Sequence, residues 1–214
     1  MASFAVVPAA PVLLPGIDEL ETERIAGLRN DIETVLSSHE QWALPLDELP
    51  VLAGLGGWGI DRGIDTRTGQ LLTGEAWVHA VDALTEEERG SCETAHPAIG
   101  VVLLHAHATA VRIGPVGTSE HLLIPIDLSA AASEDAPLAP VDGAREFDES
   151  VAHALKVGDA TTLSRAAAKA PNVHADLALL ESALPHLGTG SWEFETAFDE
   201  TVHEVRSLCG RGSR

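Results

Sequence analysis

Short apolar runs, set among helix-like stretches, constrain this chain more than any other feature. Phe4-Ala5-Val6-Val7 is stopped by Pro8, and Pro50-Val51-Leu52-Ala53 runs into a glycine-dense stretch. Ile99 to Ile113 alternates, with Val101, Leu103, His105, His107, Thr109 and Val111 on one side and mostly small residues on the other. Leu122-Leu123-Ile124-Pro125-Ile126 ends at Asp127-Leu128-Ser129. Apolar runs and alternations bounded by turn residues read as strands. Between and after them the apolar period changes. Ile17, Leu20, Ile25, Leu28, Ile32, Val35 and Leu36 recur near helical spacing, with Glu19, Glu21 and Glu23 at the end where the macrodipole favours acids.

Further helices are expected over Glu75 to Leu84 and Ala144 to Val157, then Thr161 to Lys169 and Val173 to Leu184. Thr85-Glu86-Glu87-Glu88 reads as a capped acidic turn. Gly158 suits a helix C-terminus, Asp159 the next N-cap, and Asn172 the cap after that. The stretch from Gly54 to Gly74 holds seven glycines and reads as a long loop or hairpin, and Ser133 to Pro140 as a loop. The tail divides into a strand from Trp192 to about Phe198 and a helix from Asp199. Strands early and midway with helices between them predict an α/β fold, a three-layer α/β/α sandwich around a mixed sheet. Length predicts one domain over residues 1–214, with a glycine-rich region at 54–74 and a helical part at 143–187.

Thirteen Lys and Arg against 33 Asp and Glu give a net charge of −20. That field repels phosphate backbones and anionic membranes, which excludes nucleic acid and membrane surfaces as expected partners. At 45% hydrophobic residues the chain still folds. Cys92 and Cys209 stand far apart without metal-type spacing, as in a reducing compartment. No apolar run reaches a membrane span, and the proline-broken start is a poor signal peptide, so the expected location is cytoplasmic.

Several residues invite a chemical reading. Gly54-Leu55-Gly56-Gly57-Trp58-Gly59 matches a dinucleotide fingerprint, but Ile60 to Asp65 does not read as the phosphate-binding helix. Asp61, Asp65 and Thr66 are oxygen donors without EF-hand spacing. On a strand, His105 and His107 share one face and make a metal pair if His96, His121 or Asp127 supplies a third ligand. Asp127 and Ser129 lie at the C-terminal end of a buried strand, the edge where open α/β sheets bind ligands. Ser129 lacks a nucleophile-elbow context. Glu193, Glu195, Asp199 and Glu200 read as a solvated acidic face, with acid–base work as the alternative.

Two segments, taken together, resemble a known family. Ala5-Val6-Val7-Pro8-Ala9-Ala10-Pro11-Val12-Leu13-Leu14-Pro15 resembles the opening strand and Pro-His-Pro-Pro loop of the LigB-like class III extradiol ring-cleavage dioxygenases. Ile126-Asp127-Leu128-Ser129, Ala136-Pro137, Glu146-Phe147-Asp148, Ala154-Leu155 and Gly158-Asp159 follow in the order of that family's second half. The resemblance covers residues 3–16 and 121–187 and is nearest an actinobacterial branch. It implies a LigB-like fold and, for active members, a non-haem Fe(II) site of two histidines and a carboxylate. Here the histidine positions fall on Ala9, or Ala10, and on Ala130. Methyl groups cannot ligate iron, so the expectation is no cofactor and no dioxygenase activity.

The leading expectation is therefore a fold retained for small-molecule or partner binding, with a pocket near Ala9, Asp127 and Ser129. The second is an enzyme with a relocated site at His105 and His107. The third is an interaction subunit, such as a homodimer.

Overall fold

The computed structural model describes residues 3–18, 22–188 and 190–214. Its centre is a mixed six-stranded sheet in the order β6-β2-β7-β1-β9-β8. The strands are β1 (Ser3–Pro8), β2 (Gln41–Ala43), β6 (Arg112–Gly114), β7 (Leu122–Ile126), β8 (Glu193–Val202) and β9 (Val205–Ser213). The first four in that order run parallel, and β9 and β8 complete the sheet antiparallel. A second, antiparallel sheet holds β3 (Leu52–Gly54), β4 (Arg62–Asp65) and β5 (Gln70–Thr73).

Helices cover both faces of the large sheet. Ala5 and Val7 of β1 pack with α1 (Glu23–Leu36) and α4 (Pro97–Ala108), whereas Phe4 and Val6 point the other way. That second face meets α5 (Ala144–Val157), α6 (Ala160–Ala167) and α7 (Ala178–Ala183). Successive strand side chains alternate between faces, so a strand buried on both must be apolar throughout, as β7 is and as β1 is from Phe4 onward. The buried Trp42 and Trp192 keep their indole N–H groups bonded, to the Leu36 and Leu155 carbonyls. That avoids an orphaned buried donor.

Local signals set many boundaries. Thr22 caps α1 through the Ile25 N–H. Thr85 and Glu88 form a reciprocal capping box at the start of α3 (Glu86–Thr94), which follows α2 (Glu75–Asp82). Gly158 ends α5 at φ 70°, where a side chain would also strike the Trp192 backbone. Asp159 then caps α6 through the Thr162 N–H.

Four expectations are corrected. Ile99 to Ala108 is helix α4, and only Arg112–Gly114 of that stretch is strand. From Asp199 the chain stays extended and turns at His203 and Glu204, both at positive φ, into β9. Val173 to Leu184 is broken: a 3-10 turn at Ala170–Val173 contains Asn172, and α7 begins at Ala178. Ile17 lies ahead of the first helix, which starts at Glu23; Glu19, Leu20 and Glu21 lie outside the described residues.

Candidate functional site

The loops after β1 and β7 leave the sheet in opposite directions. From β1 the chain enters α1 on one face, and from β7 it enters α5 on the other. The crevice at the C-terminal ends of two such neighbouring parallel strands is a switch point, where α/β folds receive ligands. Ala9 sits there, buried, its N–H donating to the Ile126 carbonyl. Asp127 follows directly and exchanges two backbone hydrogen bonds with Asp176 at 2.9 and 2.8 Å.

His96 joins this pair from the start of α4. Its Nδ1 accepts the Ala98 N–H at 3.2 Å, so its Nε2 carries the proton and donates to Asp176 Oδ2 at 2.8 Å. Asp176 Oδ1 accepts the Ala178 N–H, and the two bonds hold its carboxyl below the usual range, His96 most of all. Asp127 has no such support. Burial, and then the Asp176 charge, push its carboxyl up to about 6.

The other predicted residues separate. Ser129 is fully buried; its N–H donates to Asp148 and its hydroxyl to the Val173 carbonyl, while the hydroxyl also accepts the Ala131 N–H. Burial lifts the Asp148 carboxyl to about 6, against the pull of the Ser129 N–H and Arg206. His105 and His107 do not share a face: on a helix, residues two apart diverge by about 200°. His105 is buried with neither ring nitrogen bonded, and burial, Arg29 and Arg62 hold it down at about 4. His107 is exposed. His121 lies at the opposite sheet edge, where it stacks on His39 at 3.6 Å and both rings bond Ser3 Oγ.

Asp65 is taken up by Arg67, and Thr66 by the Pro50 carbonyl. Of the tail acids, Glu195, Asp199 and Glu200 pair with Arg211, with Arg206 and Lys156, and with Arg24. Ala9 and Ala130 offer no donor atom, and both ring nitrogens of His96 are already bonded. These residues do not make a set of two histidines and one carboxylate. Among the described residues no three His, Cys, Asp or Glu side chains converge as metal ligands.

A wide opening lies beside the crevice, with His96 in its wall. It is a cleft of about 610 Å³ between the small sheet and α2, α3 and α4. Gly54 and Gly63 are register partners, and Trp77 of α2 lies against them so closely that a methyl at Gly63 would overlap its ring. From α4, Gly100 meets the Gly54 backbone. Of the glycines that resemble a dinucleotide fingerprint, Gly54 serves close packing and Gly56 lies against Trp77, Gly59 stands at φ 73° in open space, and the helical turn within the motif is only Gly56–Trp58. Val78, Val81, Leu84 and Cys92 line the cleft, Cys92 accepting the Leu52 N–H, and Trp58 stands at its rim with 46% of its surface exposed. Sequence reasoning missed Trp58 and Trp77. Their only signal was two indoles, one inside the glycine-dense stretch and one just beyond it.

The chain matches no protein-family model, and no curated protein matches it.

Proposed function

We propose that this protein binds a small organic molecule in the cleft between β3, α2 and α4, and that it is not an active ring-cleavage dioxygenase. One observation carries the reading. A concave site of about 610 Å³ has bare glycine backbone and Trp77 for a floor and a half-exposed Trp58 at its mouth. Pockets that enclose drug-sized molecules run from about 300 to about 1,000 Å³, mostly apolar with a few polar groups. An indole left in water beside such a floor is a stacking surface for a flat ring. The LigB-like resemblance belongs to the same proposal. Its histidine positions, Ala9 and Ala130, follow the ends of adjacent parallel strands, and neither supplies a donor.

Saturable quenching of tryptophan fluorescence by the neutral dye Nile red, lost in Trp58→Ala, is the expected result. Unsaturable quenching, or quenching indifferent to Trp58→Ala, overturns the reading.

A second reading rests on Asp127. Its carboxyl stands at a switch point with no side-chain hydrogen bond among the described residues, and it titrates near the pH at which general acids and bases operate. An acid–base reaction on a ligand reaching past His96 would use it. Asp127→Asn would then abolish turnover while leaving Nile red binding intact; unchanged binding without any turnover in the native protein leaves the binder alone.

A further inference from the structure

The cleft is charged as well as apolar. Asp61 stands at its rim, Asp82 on α2 and Glu93 on α3, all exposed, and none forms an ion pair among the described residues. The one arginine in the lining, Arg89, donates to the Val81 carbonyl at 2.8 Å. Arg67 lies outside the lining and pairs with Asp65 and Glu88. Three free carboxylates therefore face one tethered guanidinium, in a chain of net charge −20.

Resting on the binding reading above, we infer that the ligand class is a flat organic cation, such as an N-alkylated heteroaromatic ring. Charge complementarity selects the sign and the geometry selects the shape. A delocalised cation stacks on the Trp58 indole, whose negative face attracts it, while its apolar edges cover Gly56 and Trp77. The carboxylates need not touch it, because acids around a low-dielectric cleft raise the local concentration of cations. A compact hydrated cation gains nothing from the apolar floor, and an anion is repelled.

Calorimetric titration of the whole chain with N-methylquinolinium and with neutral quinoline, at pH 7.5, tests this. The cation is expected to bind about tenfold more tightly than its neutral counterpart, from cation–π contact and field together. That preference should fall with added salt and shrink to about twofold in Asp61→Asn/Asp82→Asn/Glu93→Gln, whose exposed changes leave the fold intact. Equal affinity for the two probes, with Trp58→Ala weakening both, overturns the cation inference and keeps the binding site. No heat from either probe, together with no Nile red binding, overturns both. An undiminished, about tenfold preference after neutralisation of the three acids also overturns the inference, since the acids are the larger part of its cause.

Discussion

A methyl group placed on Gly100 of α4 would lie 2.6 Å from the carbonyl oxygen of Gly54 in β3. Helix and strand thus touch backbone to backbone, and the wall of the cleft depends on it. An alanine inside a helix ordinarily gains up to about 1 kcal/mol over glycine. Gly100→Ala is expected to reverse that sign and cost about 1–3 kcal/mol by overpacking. Gly27, exposed in α1 with nothing within 4 Å of a built methyl, is the control, and Gly27→Ala should stabilise by about 0.5–1 kcal/mol. Urea unfolding of both variants decides it; a stabilised Gly100→Ala would refute the close contact.

His105 makes stability depend on pH. Its folded value of about 4 lies below the ordinary 6.5, so the unfolded chain takes up a proton first. The neutral, buried imidazole is fully favoured above pH 6.5, and that advantage, about 3 kcal/mol, is lost as pH falls towards 4. Asp127 and Asp148 oppose it. Both are raised to about 6, so they favour the fold as pH drops through 6 towards 4. Between pH 7 and pH 5, His105→Leu should gain about 2 kcal/mol relative to the native chain. A constant difference at both pH values would mean that His105 is not a buried neutral imidazole.

Asp127 should respond to its neighbours in opposite ways. Asp176→Asn removes a like charge and should lower the Asp127 titration midpoint, whereas His96→Ala removes a stabilising partner and should raise it. Carboxyl carbon NMR reads both shifts, and the same direction in both variants would break the account.

His96 also caps α4. His96→Ala should cost about 1–2 kcal/mol, the loss of an N-cap plus the Asp176 bond. His96→Asn keeps a good capping side chain and should cost less than half as much. Thermal unfolding of the two variants compares them, and equal losses would assign the whole effect to Asp176.

Features fixed by near neighbours are legible in the amino-acid order itself. The Thr85 capping box, the Gly158 terminus with Asp159 after it, the buried runs at Phe4 and Leu122, and the amphipathic α5 each depend on a few adjacent residues. Asp127 at a strand end is legible for the same reason. Helix α4 is not. Its residues from Ala98 to Ala106 are buried all round, so no polar face marks a helical period, and a chance alternation imitates a strand. That imitation creates the apparent shared face of His105 and His107. The β8–β9 hairpin is hidden too, because its turn puts His203 and Glu204 at positive φ instead of the Asn-Gly pair that announces such turns.

Local sequence thus determined the order of most elements, their caps and the carboxylate at the sheet edge, because those rest on short-range hydrogen bonds and periodicity. Tertiary structure alone decided that α4 is helical, that Asp176 and His96 meet beside Asp127, and that glycines, Trp77 and Trp58 enclose a cleft. Each of these depends on contacts between segments distant in the chain, where burial and charge outweigh what any single segment prefers.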